Sequence, residues 1–224
     1  MRSADTLNEQ FSQATPEEIL LWCWDTFGAL AVATSSFQSQ SVALLFMISQ
    51  TAPEMPVLFL DTGFHFPETL AFRNDLTERW GLNLINVKPE AYITPANLTE
   101  LRLIDPDYCC LHAKVAPLQR ALEGKKAWVT GIRRDQTSAR KAIPLFSETS
   151  GGMLKVMPLA QWSRDQVKSY LQMHQLPEHP LKNAGYLSIG CAPCTVPVVN
   201  EFDERSGRWI AHAKTECGLH TLPI

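Results

Sequence analysis

Short apolar runs alternate with longer helical patterns along most of the chain. The apolar runs predict strands at residues 29–35, 56–63, 82–87, 127–132 and 154–159. The longer patterns predict helices at residues 39–50, 66–81, 108–124 and 163–174. Strands that are apolar on both faces and separated by helices are typical of a parallel sheet covered by helices on both sides. The pattern therefore predicts an α/β fold.

Several helix ends are marked by their residue types. Thr15, Pro16 and Glu18 form a capping box before the apolar stretch "EEILLWCWDTFG", which predicts a first helix. Ser163 is expected to cap the helix at 163–174, and Pro117 to kink or interrupt the one at 108–124. Cys23 lies among tryptophans in the first helix, far from other cysteines, and is expected to be a core thiol.

The pattern changes after residue 176. The stretch "LPEHPLKNAGYLSIGCAPCTVPV" is rich in proline and glycine and has no clear periodicity. We expect residues 1–176 to form the α/β domain and residues 177–224 to form an irregular C-terminal segment packed on that same domain. The end of this segment is expected to be mobile, because it has to meet two partners in turn.

Composition narrows the function classes. The 224 residues carry a net charge of −3, which argues against nucleic-acid binding by the molecule as a whole. The first residues lack the apolar core of a signal peptide, and no window is apolar enough for a membrane span, so we expect a cytoplasmic protein. Residues 114–141, however, hold eight basic side chains against two acidic ones, which favours a small anionic ligand.

Polar and basic residues follow three of the predicted strands. The stretch "TSSFQSQS" places Ser35, Ser36, Ser39 and Ser41 at the start of a helix, where hydroxyl and free N–H groups suit a phosphate or sulfate. "LDTG" follows the second strand, and "GIRRDQTSAR" offers three arginines after the 127–132 strand. Ligands of parallel sheets bind at the carboxyl ends of the strands, so the three loops together predict one anion-binding edge.

Four of the six cysteines occur in two pairs, the adjacent Cys109 and Cys110 and the C-x-x-C of Cys191 and Cys194. Four thiolates can bind zinc or an iron–sulfur cluster. Adjacent cysteines converge poorly on one small ion but can serve two corners of a larger cube, which favours a [4Fe–4S] cluster over zinc. A redox C-x-x-C is a further interpretation, but it leaves the adjacent pair unexplained.

Cys217 remains as a candidate nucleophile. It lies in the polar stretch "KTECGLH", where Lys214 and His220 would favour its thiolate and Gly218 would keep the backbone flexible. A cysteine in such a tail is a poor core residue. It is better suited to entering a site and leaving it again to meet a partner.

These same stretches carry a family resemblance. "SSFQSQS", "VLFLDTGFHFPETL", "CCLHAKVAPL", "WVTGIRRDQTSAR", "KVMPLAQWS", "HPLKNAGYLSIGCAPCTVPV" and "KTECGLH" run in family order from about residue 32 to residue 220. The sequence resembles the assimilatory adenylyl-sulfate reductases, the iron–sulfur branch of the sulfonucleotide reductases. The resemblance implies an adenine-nucleotide α-hydrolase-like fold with a nucleotide-binding domain at residues 1–176.

The resemblance also implies the chemistry. Cys217 would attack the sulfur of adenosine 5′-phosphosulfate, expel AMP and become S-sulfonated, and a separate thioredoxin or glutaredoxin would then release sulfite. Cys109, Cys110, Cys191 and Cys194 would hold a [4Fe–4S] cluster of structural and electrostatic role. Substrate binding is expected at Ser35, Ser36, Phe37, Leu60, Asp61, Thr62, Gly63, Lys114, Gly131, Arg133, Arg134, Arg140, Lys214 and His220.

Three alternatives stay open. One is a reductase that prefers 3′-phosphoadenylyl sulfate, which differs from the simpler nucleotide by one phosphate. Another is an ATP pyrophosphatase-type sulfur-transfer enzyme acting on RNA, against which the loop without glycines and the net charge of −3 both argue. The last is a zinc-stapled or redox-sensing binding module that is not an enzyme. The sequence leaves the oligomeric state open, a homo-oligomer included.

Overall fold

The computed structural model describes residues 2–90, 96, 98–100, 105–200, 203–210 and 218–219. Within them, six strands form one sheet: β1 (Ala31–Thr34), β2 (Val57–Leu60), β3 (Leu84–Val87), β4 (Ala127–Thr130), β5 (Phe146–Glu148) and β6 (Leu154–Val156). All five strands expected from the sequence are present, each somewhat shorter than its apolar run.

The strands are ordered β3-β2-β1-β4-β6-β5 across the sheet. The pairs β1–β2, β2–β3, β1–β4 and β4–β6 are parallel, and β5 is antiparallel to β6. β1 lies between β2 and β4, so the chain changes direction across the sheet at β1, and a crevice opens there at the carboxyl ends. The expected parallel α/β sheet is confirmed, with one antiparallel strand at its edge.

Seven α-helices have described bounds: α1 (Ala4–Gln10), α2 (Pro16–Phe27), α3 (Ser41–Thr51), α4 (Pro67–Trp80), α5 (Pro106–Cys110), α6 (Ala116–Leu122) and α7 (Arg164–Met173). The predicted capping box of α2 and the predicted cap of α7 are present, since Thr15 and Ser163 each accept a hydrogen bond from the third residue of their helix. Gly81 ends α4 in the left-handed conformation.

The helix expected at 108–124 is interrupted, as its proline suggested. A π-helical turn at Leu111–Val115 separates α5 from α6, and Pro117 lies in the first turn of α6. Proline lacks the N–H that a continuous α-helix would use, so the turn of altered register falls just before it. The same turn contains Lys114 and directly follows Cys110.

The sequence analysis missed α1 and β5, which stabilise each other. The Asn8 amide donates to the Phe146 carbonyl at 2.8 Å and accepts from the Phe146 N–H at 3.0 Å. β5 is short and follows an irregular loop, so no period-2 pattern marks it in the sequence. One side chain of α1 thus supplies the hydrogen bonds that another strand would supply.

Apolar side chains cover both faces of the sheet. The larger core lies under α2 and α3 and contains Cys23, whose thiol is fully buried. Burial raises the pKa of Cys23 to about 12, as expected for a core thiol. The opposite face carries a smaller apolar cluster around Leu118 and Trp128. Among the helices of the described residues, none is long and apolar enough to cross a membrane.

Candidate active site and cysteine site

A cavity of about 160 Å³ opens at the carboxyl edge of the sheet. The carboxyl ends of three neighbouring strands line this cavity, through Thr34 of β1, Leu60 of β2 and Thr130 of β4. Thr34 and Thr130 are register partners across the β1–β4 pair. The cavity therefore lies at the point where the sheet changes direction, where α/β proteins bind ligands.

The loop after β1 contains no glycine, and side-chain hydrogen bonds fix its conformation. The Ser35 hydroxyl accepts from the Phe37 N–H at 3.1 Å, and Phe37 has a left-handed backbone (φ 53°) with its ring buried against Phe59. Gln38 accepts from the Ile189 N–H at 3.0 Å, which joins this loop to the C-terminal segment. Ser35 and Ser36 line the cavity, whereas Phe37 supports the loop from below.

Ser39, at the start of α3, has a buried hydroxyl with no hydrogen-bond partner among the described residues. A buried hydroxyl of this kind normally has a partner. Its neighbours Gln38 and Ser41 line the cavity beside the N-terminus of α3, which suits a ligand that brings acceptor oxygens.

The loop after β2 contacts both the cavity and the cysteine region. Leu60 lines the cavity, and its carbonyl accepts from His65 Nε2 at 2.8 Å. Asp61 accepts from the Gly63 N–H at 3.2 Å and so forms a tight turn. The Thr62 hydroxyl lies 3.3 Å from the Cys191 sulfur. Asp61, Thr62 and Gly63 do not line the cavity, and Thr62 contacts the cysteine region instead.

The three arginines after β4 have different surroundings. Arg140 and the neighbouring Gly131 line the cavity. Arg133 is buried beside Asp135, with Nε 2.9 Å from the carboxylate, and Arg134 Nε donates to the Ile143 carbonyl at 2.7 Å. Arg133 and Arg134 therefore hold the loop in shape, and Arg140 presents its charge to the cavity.

Residues 203–210 supply cavity groups that the sequence analysis missed. Arg205, Arg208 and Trp209 line the cavity, as do His65 and Trp128. No strand or helix pattern precedes Arg205 and Arg208, so position along the chain gave no reason to select them. The stretch "DERSGRW" does place two arginines around a glycine, and that was the available signal. The predicted residues Lys214, Cys217 and His220 lie outside the described residues.

The four paired cysteines come together. Cys109 and Cys110 lie in α5, which Asp105 caps, and Cys191 is the N-cap and Cys194 the last residue of the short 3-10 helix Ala192–Cys194. All four border a second, smaller cavity, whose other walls are Phe64, Pro106, Ala113, Lys114 and Trp209. They are free thiols. Among the described residues, no three His, Cys, Asp or Glu side chains converge as they would on one metal ion.

Lys114 borders both cavities and is itself buried. Burial disfavours the Cys191 thiolate, but the Lys114 ammonium, the Thr62 hydrogen bond and the Arg208 guanidinium outweigh it and lower the pKa of Cys191. Burial raises the pKa of Cys109 to about 11, with a further contribution from the other three thiolates. Lys114 is thus a positive charge between the anion-binding edge and the thiols.

Comparison with known proteins shows the family of the chain. Residues 30–197 match the phosphoadenosine phosphosulfate reductase domain, and the chain belongs to that family. An adenosine 5′-phosphosulfate reductase of Rhodococcus opacus is 41% identical over 92% of this chain and 89% of its own length. A phosphoadenosine 5′-phosphosulfate reductase of Gloeobacter violaceus is 43% identical over 96% and 92%.

A solved structure of a protein named for the same activity has a similar fold. A crystal structure of phosphoadenylyl-sulfate reductase from Candida auris superposes with a TM-score of 0.76 and 31% identity, covering 86% of this chain and 96% of that one. Further relatives named adenosine 5′-phosphosulfate reductase are 39% and 47% identical over 97% and 84% of this chain. The expected family and fold are therefore confirmed.

Proposed function

We propose that the chain reduces adenosine 5′-phosphosulfate to sulfite and AMP in sulfate assimilation and cysteine biosynthesis. The observation that carries the proposal is the common wall of the two cavities. A cavity at the nucleotide-binding edge of the sheet, lined by Arg140, Arg205 and Arg208, adjoins a cavity bordered by four thiols, and Lys114 faces both. The names of several relatives support the same substrate.

In the proposed reaction, the Cys217 thiolate attacks the sulfur of the substrate. A sulfur–sulfur bond forms, the bond from that sulfur to the phosphate oxygen breaks, and AMP leaves with the electron pair. A dithiol carrier of the thioredoxin or glutaredoxin type then attacks the Cys217 sulfur and expels sulfite. Its second thiol frees Cys217 and leaves the carrier as a disulfide, so the two electrons come from the carrier.

The basic groups explain how a thiolate can approach an anion. Lys114, Arg140, Arg205 and Arg208 would offset the negative charges of the phosphosulfate and stabilise the charge that develops on the departing phosphate oxygen. Ser35, Ser36 and the N-terminus of α3 would donate hydrogen bonds to the nucleotide. Lys214 and His220, which flank Cys217 in the sequence, would favour its thiolate.

We also propose that Cys109, Cys110, Cys191 and Cys194 hold a [4Fe–4S] cluster. The donor set supports this, because four cysteine sulfurs border one cavity, which is the ligand set of such a cluster. When bound, the cluster would supply a fixed charge beside Lys114. The proposed reaction needs no electrons from it.

The C-terminal segment would work as part of the same domain. Two contacts of residues 177–200 support this: His179 hydrogen-bonds Thr69 of α4 at 2.9 Å, and Ile189 hydrogen-bonds Gln38 at 3.0 Å. We also place the protein in the cytoplasm, whose reducing conditions keep cysteines available as cluster ligands and nucleophile and where a thioredoxin-type carrier is available.

A preference for 3′-phosphoadenylyl sulfate is the second candidate, since one relative bears that name. Competition between the two nucleotides in a sulfite-release assay with thioredoxin separates the candidates. We expect adenosine 5′-phosphosulfate to be used preferentially, by protein that contains about four iron and four sulfide per chain. Preference for the 3′-phosphorylated nucleotide would overturn the substrate assignment, and one zinc per chain would overturn the cluster assignment.

A further inference from the structure

Trp209 occupies the wall between the two cavities and borders both. It is only 4% exposed, and its φ of 50° is rare for a bulky side chain. Its N–H donates to the Cys194 carbonyl at 3.1 Å, so the backbone is fixed to the cysteine segment. A left-handed backbone at a buried tryptophan persists only where the surroundings demand it.

The guanidinium groups of two arginines from the nucleotide cavity lie over the Trp209 ring. The guanidinium carbon of Arg208 lies 4.2 Å from the ring centroid, and that of Arg205 lies 5.6 Å from it. Both distances fall within the range of cation–π attraction, which is strongest for tryptophan. Both arginines line the cavity at the edge of the sheet.

The neighbouring backbone is shaped around this arrangement. A Cβ on Gly190 would lie 2.4 Å from Arg208 Nη2, and a Cβ on Gly207 would lie 2.2 Å from the Val196 carbonyl oxygen. Arg208 also forms a backbone bridge with Thr195, directly after Cys194. Gly190 therefore leaves room for the Arg208 guanidinium, and Gly207 allows the backbone before Arg208 to approach Val196 closely.

We propose that Trp209 is a positioning residue for the anionic end of the substrate. Its ring holds the Arg205 and Arg208 guanidinium groups where the phosphosulfate binds, and its backbone ties them to the segment of Cys191 and Cys194. When the segment of Cys191 and Cys194 folds, it therefore also places the Arg205 and Arg208 guanidinium groups. This inference rests on the proposed function, because it takes the phosphosulfate group as the ligand.

The test measures equilibrium binding of radiolabelled adenosine 5′-phosphosulfate to protein in which Cys217→Ser prevents turnover. Trp209→Leu keeps an apolar side chain but removes the ring, and Trp209→Phe keeps a ring face. We expect Trp209→Leu to raise the Kd about tenfold and Trp209→Phe to raise it about threefold or less. The inhibition constant of adenosine, which lacks the anionic end, should change less than about twofold.

Two controls separate positioning from general damage. Trp162→Leu removes a different tryptophan, which is partly buried and whose ring packs on Tyr170 away from both cavities, and should leave the Kd unchanged. Arg208→Gln should weaken binding, and the double variant Trp209→Leu with Arg208→Gln should be weaker by less than the product of the two effects. Iron content and visible absorption report whether the cysteine site stays intact.

Three outcomes would overturn the inference. These are a Kd for Trp209→Leu within about twofold of the parent, an equal loss of adenosine and phosphosulfate binding, and fully additive effects with Arg208→Gln. Failure of the proposed function gives a different result, since the Cys217→Ser parent would then not bind adenosine 5′-phosphosulfate at all.

Discussion

The two cavities at the carboxyl edge of the sheet differ in the backbone that builds them. The floor of the nucleotide cavity consists of the ends of β1, β2 and β4, whose register is fixed by regular parallel pairing. The cysteine cavity is built from α5, a π-helical turn, a 3-10 helix and a left-handed tryptophan. The sheet provides a general place for a nucleotide, and the irregular segments add the thiols that suit this chemistry.

Loss of the proposed nucleophile should have the largest effect. We expect Cys217→Ser to abolish sulfite release, by about a thousandfold or more, because a hydroxyl is a far weaker nucleophile than a thiolate. Iron content should stay at the parent level, since the proposed cluster ligands are Cys109, Cys110, Cys191 and Cys194. Loss of iron in this variant would show that Cys217 is also needed to hold the cluster, which would contradict the separate roles proposed for it and for the cluster ligands.

Lys114 joins the two cavities, so changing it tests whether they act together. Lys114→Gln keeps much of the side chain but removes the charge, and we expect kcat/KM to fall about a hundredfold. The thiol of Cys191 would lose the cation that lowers its pKa most. Lys182→Gln removes an exposed ion pair with Glu178 and is the matched control. Equal activity of the two variants would contradict the bridging role.

His179 links the cysteine segment to the regular domain and gives stability a pH dependence. The Leu181 N–H donates to its Nδ1, so Nε2 donates to Thr69, and burial lowers the pKa of His179 to about 4 despite the nearby carboxylate of Glu68. The unfolded chain takes up a proton near pH 6.5. The contribution of His179 to stability should therefore be fully present above about pH 6.5 and decrease by about 2–3 kcal/mol as the pH falls to 4.

Denaturant unfolding across this pH range measures that slope. His179→Gln removes the titrating ring, so the part of the slope due to this residue should disappear. His174→Gln, at the exposed end of α7, is the control that leaves the slope in place. An unchanged slope in His179→Gln would mean that another group accounts for the loss of stability in acid.

The smallest effect is expected far from both cavities. Asn8→Ala removes two hydrogen bonds to Phe146 and should lower the free energy of unfolding by about 1–3 kcal/mol. The kcat and KM should stay at parent values, because neither residue lines a cavity. A change in KM would show that β5 is coupled to the nucleotide site.

The sequence predicted the sheet well because its central strands β1, β2 and β4 are buried on both faces and the parallel strands are separated by helices. Each of β1, β2, β3, β4 and β6 coincides with an apolar run, and the caps at Thr15 and Ser163 follow from local hydrogen-bond chemistry. β5 and α1 escaped because Asn8, which is remote in sequence, stabilises β5. No local pattern encodes such a contact.

The site was predictable where it follows a strand and less so elsewhere. Ser35, Leu60, Gly131 and Arg140 were selected by position and line the cavity. Arg133 has the same local context as Arg140 but pairs with Asp135, and which arginine faces the cavity depends on packing. Arg208 depends on the space beside Gly190, eighteen residues earlier in the chain, and only a three-dimensional arrangement reveals it.

The contact between Asn8 and β5 has a consequence for solubility. β5 is an edge strand, and its outward-facing N–H and C=O groups at Phe146 are satisfied by one amide side chain. Without that amide, the edge would present a donor and an acceptor to any other extended chain. Removal of the first ten residues should therefore promote self-association through β5. By covering this edge strand, α1 protects the protein from aggregation.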